Sequence, residues 1–259
     1  MSWDAEQYLK FSDERGRPAA DLLAQVPTTE PRLVVDLGCG TGRLAKALAE
    51  RWPEARVIGV DNSPEMLAEA RRQKIAGRLE FFKADFAEWS WGEPVDLVVS
   101  NAALHWAGQH ERLLAKIVAM LAPAGSLAVQ MPNNLRAPSH EAIFAVAAEP
   151  LFAAKLAGLG LHRESVRPLA WYAELLGDLG LAVNAWETTY LHVLSGENPV
   201  LEWLRGTALR PLLSVLDKQE AIEFQRQLAE RLREAYPSRA GVTLFPMSRI
   251  FFVATRRRT

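Results

Sequence analysis

Along the first half of the chain, short apolar runs alternate with amphipathic stretches. RLVVDL (32–37), RVIGV (56–60), LEFFK (79–83), VDLVVS (95–100) and SLAVQM (126–131) have the length and composition of buried strands. Between them, RLAKALAERW (43–52) places Leu44, Ala47 and Leu48 on one helical face before Pro53 stops it. EMLAEARRQK (65–74) follows a Ser63 cap with Pro64 at the first helical position. HERLLAKIVAMLA (110–122) is a third helix, and Pro123 with Gly125 turns the chain into the fifth strand. Strand–helix alternation of this kind predicts a parallel sheet covered on both faces. In the second half, PLAWYAELLGDLG (168–180) carries Leu169, Tyr172 and Leu176 on one face. LAVNAWETTYLHV (181–193) is a sixth strand, PVLEWLRGT (199–207) and KQEAIEFQRQLAERLREAY (218–236) are helices, and RIFFVATR (249–256) is a seventh strand. About fifty residues separate the last two strands, far above the usual connection. The pattern therefore predicts one α/β domain with a helical lid inserted at about 193–240.

Composition changes this picture little. The 259 residues are 49% hydrophobic and 24% charged, ordinary for a globular domain, with a formal net charge of -1 that lends no support to nucleic-acid binding. Cys39 is the one cysteine, which excludes an internal disulfide and suits a reducing cytoplasm. No signal peptide, membrane span, repeat or low-complexity block is evident, and the 256–258 arginine run reads as a solvated tail.

The chemistry concentrates after the strands. Ligands of such sheets bind at the carboxyl ends of the strands, and Asp36, Asp61, Asp85 and Asn101 stand at or just after those ends. The first strand runs into DLGCGTG, with glycines at 38, 40 and 42. That spacing is G-x-G-x-G, not the G-x-G-x-x-G of dinucleotide sites, and no Lys-Ser/Thr follows to make a P-loop. Glycine here permits positive φ and close approach of a ligand to bare backbone. Cys39 reads as a small turn filler.

DLGCGTG resembles motif I of the class I S-adenosylmethionine-dependent methyltransferases. The resemblance implies S-adenosyl-L-methionine as cofactor and a seven-stranded Rossmann-like sheet with helices on both faces and a mainly helical cap. It also implies that Asp61 takes the ribose hydroxyls and that Asp85 and the backbone of Phe86 take the adenine, flanked by Asn62 and Met66. Asp36, Gly38, Gly40 and Asn101 would complete the cofactor set. Further segments are similar to the trans-aconitate 2-methyltransferase family: YLKFSDERGRPAADLLAQVP (8–27), SNAALHW (100–106), LAVQMPNNLRAPSH (127–140), EWLRGTALRPLL (202–213) and YPSRAGVTLFPMSRIFFVATRR (236–257). The family pattern differs at Thr41, Arg43 and His105 and in the spacing before Arg249.

This resemblance implies esterification of a small polycarboxylic acid. A carboxylate is already ionised at neutral pH, so no general base is required. A tri-anion needs local cations, and Arg210 and Arg249, each set among apolar residues, are the candidates. His105 and Trp106 follow the fourth strand, next to the expected methyl position; core packing is the alternative for Trp106, and His105 would donate either to the substrate carboxylate or to a loop carbonyl. Tyr190 and His192 end the sixth strand. Arg15 and Arg17 are candidate grips for the cofactor carboxylate or the acid. The expected organisation is an N-terminal helical cap segment (1–30), a cofactor half (31–135) and a substrate half (136–259). The expected partners are one small acid, no nucleic acid, no membrane and no metal, with the protein a monomer. Two alternatives remain: a methyltransferase acting on an O, N or C nucleophile of another metabolite, with His105 as base, and a non-catalytic cofactor-binding module.

Overall fold

A computed structural model describes residues 12–86, 88–160 and 166–257, with backbone alone at 12–15. The expected candidate Arg15 and the segment before Ser12 therefore lie outside the described side chains. Seven strands form one sheet: β1 (Leu33–Leu37), β2 (Arg56–Asp61), β3 (Leu79–Lys83), β4 (Val95–Asn101), β5 (Leu121–Pro132), β6 (Leu181–Ser195) and β7 (Val242–Arg256). Their order is β3-β2-β1-β4-β5-β7-β6. The first five pair in parallel, while β7 runs antiparallel to β5. The alternating first half is thus parallel as expected, and the antiparallel β7 makes the whole sheet mixed. β7 is also longer than expected, beginning at Val242 rather than Arg249.

The chain divides into two compact units. The sheet unit comprises residues 16–132, 166–188 and 249–257. It holds α1 (Ser12–Ala24, from residue 16), α2 (Arg43–Arg51), α3 (Pro64–Ala70), α4 (His110–Met120) and α7 (Leu169–Asp178). On one face Val35, Leu37, Ile58 and Val60 pack with Leu113 and Ile117 of α4 and Tyr172 and Leu176 of α7. On the other face the row Asp36–Gly59–Phe81 points toward Gly42 and Ala70, so the start of α2 and the end of α3 cover that side. The buried face of α2 is Ala45, Leu48 and Ala49 rather than Leu44, Ala47 and Leu48, and Ala47 is exposed. Both sets obey helical spacing; the direction of the sheet selects between them.

The helical unit comprises residues 133–160 and 189–248. Its elements are α5 (Pro138–Ala147), α6 (Pro150–Leu156), α8 (Pro199–Arg205), α9 (Arg210–Leu213) and α10 (Lys218–Ala235), with the adjoining parts of β6 and β7. Trp203, Phe152, Phe224 and Phe245 fill its core; Phe152 meets Phe224 edge-on at 5.2 Å. Asp217 caps α10, its carboxylate accepting from the backbone N–H of Gln219 and Glu220 while Glu220 accepts from Asp217 N–H. This unit begins at Asn133, and residues 166–188 and 249–257 group with the sheet unit. No single helix among the described residues is long and apolar enough to cross a membrane.

Candidate active site

The glycine turn leaves β1 beside the end of β2. Gly38 and Cys39 both donate N–H bonds to Val60 O, at 2.8 and 3.0 Å, which lashes the turn to the neighbouring strand. Gly38, Gly40 and Gly42 have φ of 77°, 53° and 76°, the left-handed region that penalises any Cβ. Their surroundings differ. A Cβ on Gly38 would meet that of Ala103 at 2.1 Å, and one on Gly42 would meet the Phe81 ring at 2.8 Å. A Cβ on Gly40 would meet no atom within 4 Å. Gly38 and Gly42 are thus required by packing, whereas bare backbone faces open space at Gly40. Gln73 steadies the turn from α3's end by donating Nε2–H to Thr41 O at 2.8 Å.

Asp61 adjoins that open side. Its Oδ2 accepts from Gly40 N–H at 2.8 Å and its Oδ1 from Ser63 N–H at 2.9 Å. Each carboxylate oxygen keeps a second lone pair, so the geometry permits a vicinal diol as well. Ser63 caps α3 as expected, accepting from Met66 N–H at 3.2 Å. Met66 is half-buried and Asn62 exposed. Asp36 is buried behind the turn, with its Oδ2 lacking a hydrogen-bond partner among the described residues. Burial, and then the charge of Asp61, push the Asp36 carboxyl up to about 7, against an opposing bond from Ala45 N–H. A buried acid with one bare oxygen beside an open glycine suits a cationic ammonium such as that of S-adenosylmethionine's amino-acid end. The turn, Asp36 and Asp61 therefore fit that cofactor. Phe86 is half-buried with its ring edge 4.0 Å from the Gly38 Cβ direction, and Asp85 is exposed. Arg17 stands exposed on α1, with Asp21 at 3.8 Å. Cys39 is buried, and burial pushes its thiol up, so it is no thiolate nucleophile.

A second cluster lies where β4 and β5 end, with Arg249, midway along β7, paired in register with Pro132 at the end of β5. Ser100 Oγ donates to Leu37 O at 2.8 Å, tying β4 to β1. Asn101 is in register with Gln130 of β5, and Ala102 follows at φ 52° with its N–H on Gln130 O at 2.9 Å. Arg249 of β7 is 8% exposed and donates Nη1–H to Gln130 Oε1 at 3.3 Å. The turn Leu104–Trp106 presents His105, half-buried, and Trp106, 70% exposed, their rings 4.7 Å apart. Trp106 is thus no core residue. Desolvation, with the charge of Arg249 next, lowers the His105 imidazole to about 3, so it is neutral at pH 7 and a poor base.

The backbone of this turn is held from α4 by His110. A carbonyl only accepts, so His110 Nε2–H donates to Leu104 O at 2.8 Å. Nδ1 then accepts from Tyr172 OH at 2.6 Å, and that hydroxyl accepts from Arg167 N–H at 3.1 Å. This buried relay anchors the turn that carries His105 and Trp106. Its sequence signal is the phase of His110 with the apolar face Leu113, Leu114 and Ile117. Gln130 likewise interrupts an apolar strand, but its link to Arg249 spans 119 residues.

The remaining candidates belong to the helical unit. Tyr190 is 4% exposed, and His192 packs on the Trp203 ring at 4.5 Å. The strand carrying them runs on to Ser195 rather than ending there. Arg210 opens α9 and is half-buried. Among the described residues no group of three or more His, Cys, Asp or Glu is placed to hold a metal.

Residues 34–125 match a family model described as a methyltransferase domain. A solved structure of the YcgJ protein from Bacillus subtilis superposes with a TM-score of 0.60 at 13% identity, covering 93% of this chain and 98% of that one. An S-adenosylmethionine-dependent methyltransferase from Mesorhizobium loti gives 0.53 at 22% identity, covering 93% and 98%. These likenesses show the fold. Closer relatives bear the name trans-aconitate 2-methyltransferase. One from Methylobacterium nodulans is 49% identical, with 99% of both chains covered. Another from Streptomyces avermitilis is 46% identical, covering 98% of this chain and 96% of the relative. A third, from Streptomyces coelicolor, is 42% identical and covers 98% and 87%. With identity of this level along the whole chain, the chain belongs to the trans-aconitate 2-methyltransferase family of S-adenosylmethionine-dependent methyltransferases.

Proposed function

We propose that this protein methylates a carboxylate of trans-aconitate, or of a close small polycarboxylic acid, and releases the monomethyl ester and S-adenosylhomocysteine. The observation that carries the choice of an acid is Arg249. A guanidinium this deeply buried must meet polar partners, and here it stands against the carboxyl end of β5, beside a neutral His105. The names of the full-length relatives support the same substrate.

S-adenosylmethionine, when bound, supplies an electrophilic methyl group whose transfer leaves the sulfur as a neutral thioether. The chain's part is to hold and orient. Gly40 offers bare backbone, Asp61 two acceptor oxygens and Asp36 a carboxyl that a bound ammonium would draw into its ionised form; Asn62, Met66, Asp85, Phe86 and Asn101 are proposed to complete this seat, and Arg17 is the outlying candidate. Arg249 binds a carboxylate by charge-assisted hydrogen bonds. His105 is proposed to donate one further bond, and Trp106 to shield the reacting oxygen from water. With its imidazole near 3, His105 is a poor proton acceptor. That disfavours a hydroxyl or amine nucleophile and suits one that arrives ionised. Tyr190 and Arg210 are proposed to bear on acid selection. If so, R210Q and Y190F change which acids react and leave S-adenosylhomocysteine affinity intact.

The test is S-adenosylhomocysteine production with a panel of small acids, cis-aconitate included. The trans isomer is expected to lead. Turnover of a hydroxyl or amine metabolite with no acid accepted would replace this reading, and binding without turnover of any compound would make the chain a binding module. The protein is further proposed to act as a cytoplasmic monomer on a small molecule, without nucleic acid or membrane, which light scattering and fractionation check.

A further inference from the structure

We propose that Gln130 is a positioning residue for acid recognition: it directs the Arg249 guanidinium through a neutral carbonyl and brings no counter-charge to it. The inference rests on the reading of Arg249 as the carboxylate-binding cation. Gln130 is fully buried in β5, between register partners Asn101 of β4 and Phe251 of β7. Arginine only donates, so the amide must turn Oε1 toward Nη1, and the 3.3 Å contact fixes which end is oxygen. That orientation leaves Gln130 Nε2 buried with no partner among the described residues. Asn101 Oδ1, an acceptor on the register partner, is buried and without a partner too, and no bond joins the two.

An amide donor left unpaired in the interior carries a desolvation penalty. Methionine or leucine would fill nearly the same volume without that penalty, and the neighbours Leu127, Val129 and Met131 are apolar and fully buried. Packing alone therefore does not favour glutamine here. What glutamine supplies is an acceptor with no net charge. A glutamate would accept the same bond, but its charge would compete with the substrate for the cation. The field of Arg249 reaches its surroundings, since it is the second cause holding the His105 imidazole down. A tri-anion needs that field kept.

The test uses the full chain, with S-adenosylhomocysteine bound for calorimetry and NMR and S-adenosylmethionine supplied for kinetics. Acid affinity is read by calorimetry with trans-aconitate, KM and kcat by kinetics, and the His105 imidazole by NMR titration. Q130M is expected to weaken acid binding several-fold and to leave S-adenosylhomocysteine affinity and melting temperature at or above wild type. Q130E is expected to weaken it further, by about tenfold or more, the scale set by charged hydrogen bonds. Q130E should also raise the His105 pKa, because a new anion favours the imidazolium. A structural role alone would not move that titration in this direction. Wild-type acid affinity in both variants, or equal losses with His105 unmoved, overturns the proposal. Should Q130E not fold, wild-type acid affinity in Q130M overturns it alone. R249Q separates the two levels: if it leaves acid affinity unchanged, the reading of Arg249 fails first. If R249Q loses affinity while both Gln130 variants do not, only the role of Gln130 fails.

Discussion

Two glycines of one turn should separate folding from function. Gly40→Ala adds a methyl where no atom lies within 4 Å, so its cost to the fold is the left-handed backbone alone. That is about 1–2 kcal/mol. For a chain of this size it lowers the melting temperature by roughly 2–8 °C. Gly38→Ala carries the same backbone strain and drives a Cβ to 2.1 Å from that of Ala103, where carbon atoms normally rest at about 3.5–4.0 Å. Overpacking of that kind adds about 1–3 kcal/mol, so Gly38→Ala loses about 2–5 kcal/mol in all. The order reverses for the ligand. The Gly40 methyl occupies the side on which bare backbone is available, so affinity for S-adenosylhomocysteine should fall by more than about tenfold, or 1.4 kcal/mol. Differential scanning calorimetry and titration calorimetry on the same samples give both numbers. Wild-type affinity in a folded Gly40→Ala protein would refute the placement of the cofactor there. Equal melting temperatures for the two variants would refute the packing argument.

Other expectations follow from the same geometry. Asp61→Ala frees the N–H groups of Gly40 and Ser63 as well as removing the proposed ribose acceptor, so S-adenosylhomocysteine binding should weaken by about 1–3 kcal/mol; titration calorimetry reads it, and unchanged affinity would exclude Asp61 from the site. Tyr172→Phe removes the hydroxyl that serves both His110 Nδ1 and Arg167 N–H, and should cost about 1–3 kcal/mol in a denaturant melt; a neutral substitution would mean the relay holds nothing. Asp36 is an acid whose folded pKa, about 7, lies above its unfolded value of 3.8. The unliganded fold therefore binds a proton that the unfolded chain releases between those values. Its contribution is fully present below about 4 and is lost as pH rises through 7, with a slope of up to about 1.4 kcal/mol per pH unit. Asp36→Asn should gain in melting temperature relative to wild type across that window, and parallel curves would contradict the shift.

The elements that local chemistry controls were legible in the chain. The β1–turn–α2 unit follows from an apolar run, three glycines whose positive φ no other residue tolerates as well, and an amphipathic stretch closed by Pro53. The Ser63–Pro64 cap was readable for the same reason, because it acts within three residues. Helices α5 and α6 carry only Pro138 and Pro150 in their first turns as local marks, since α5 is apolar around much of its circumference and shows little periodicity. Spacing alone did not choose between two helical faces of α2, because the choice depends on where the sheet lies. The antiparallel entry of β7 had no local signature either, and it alone sets Arg249 against Gln130 across 119 residues of chain. The shifts at Asp36 and His105 arise from burial and from charges brought close by folding, namely Asp61 and Arg249. Backbone sterics and periodicity act over a few residues and can be read in order. Register, desolvation and Coulomb fields act through space, and take their values only when distant segments meet.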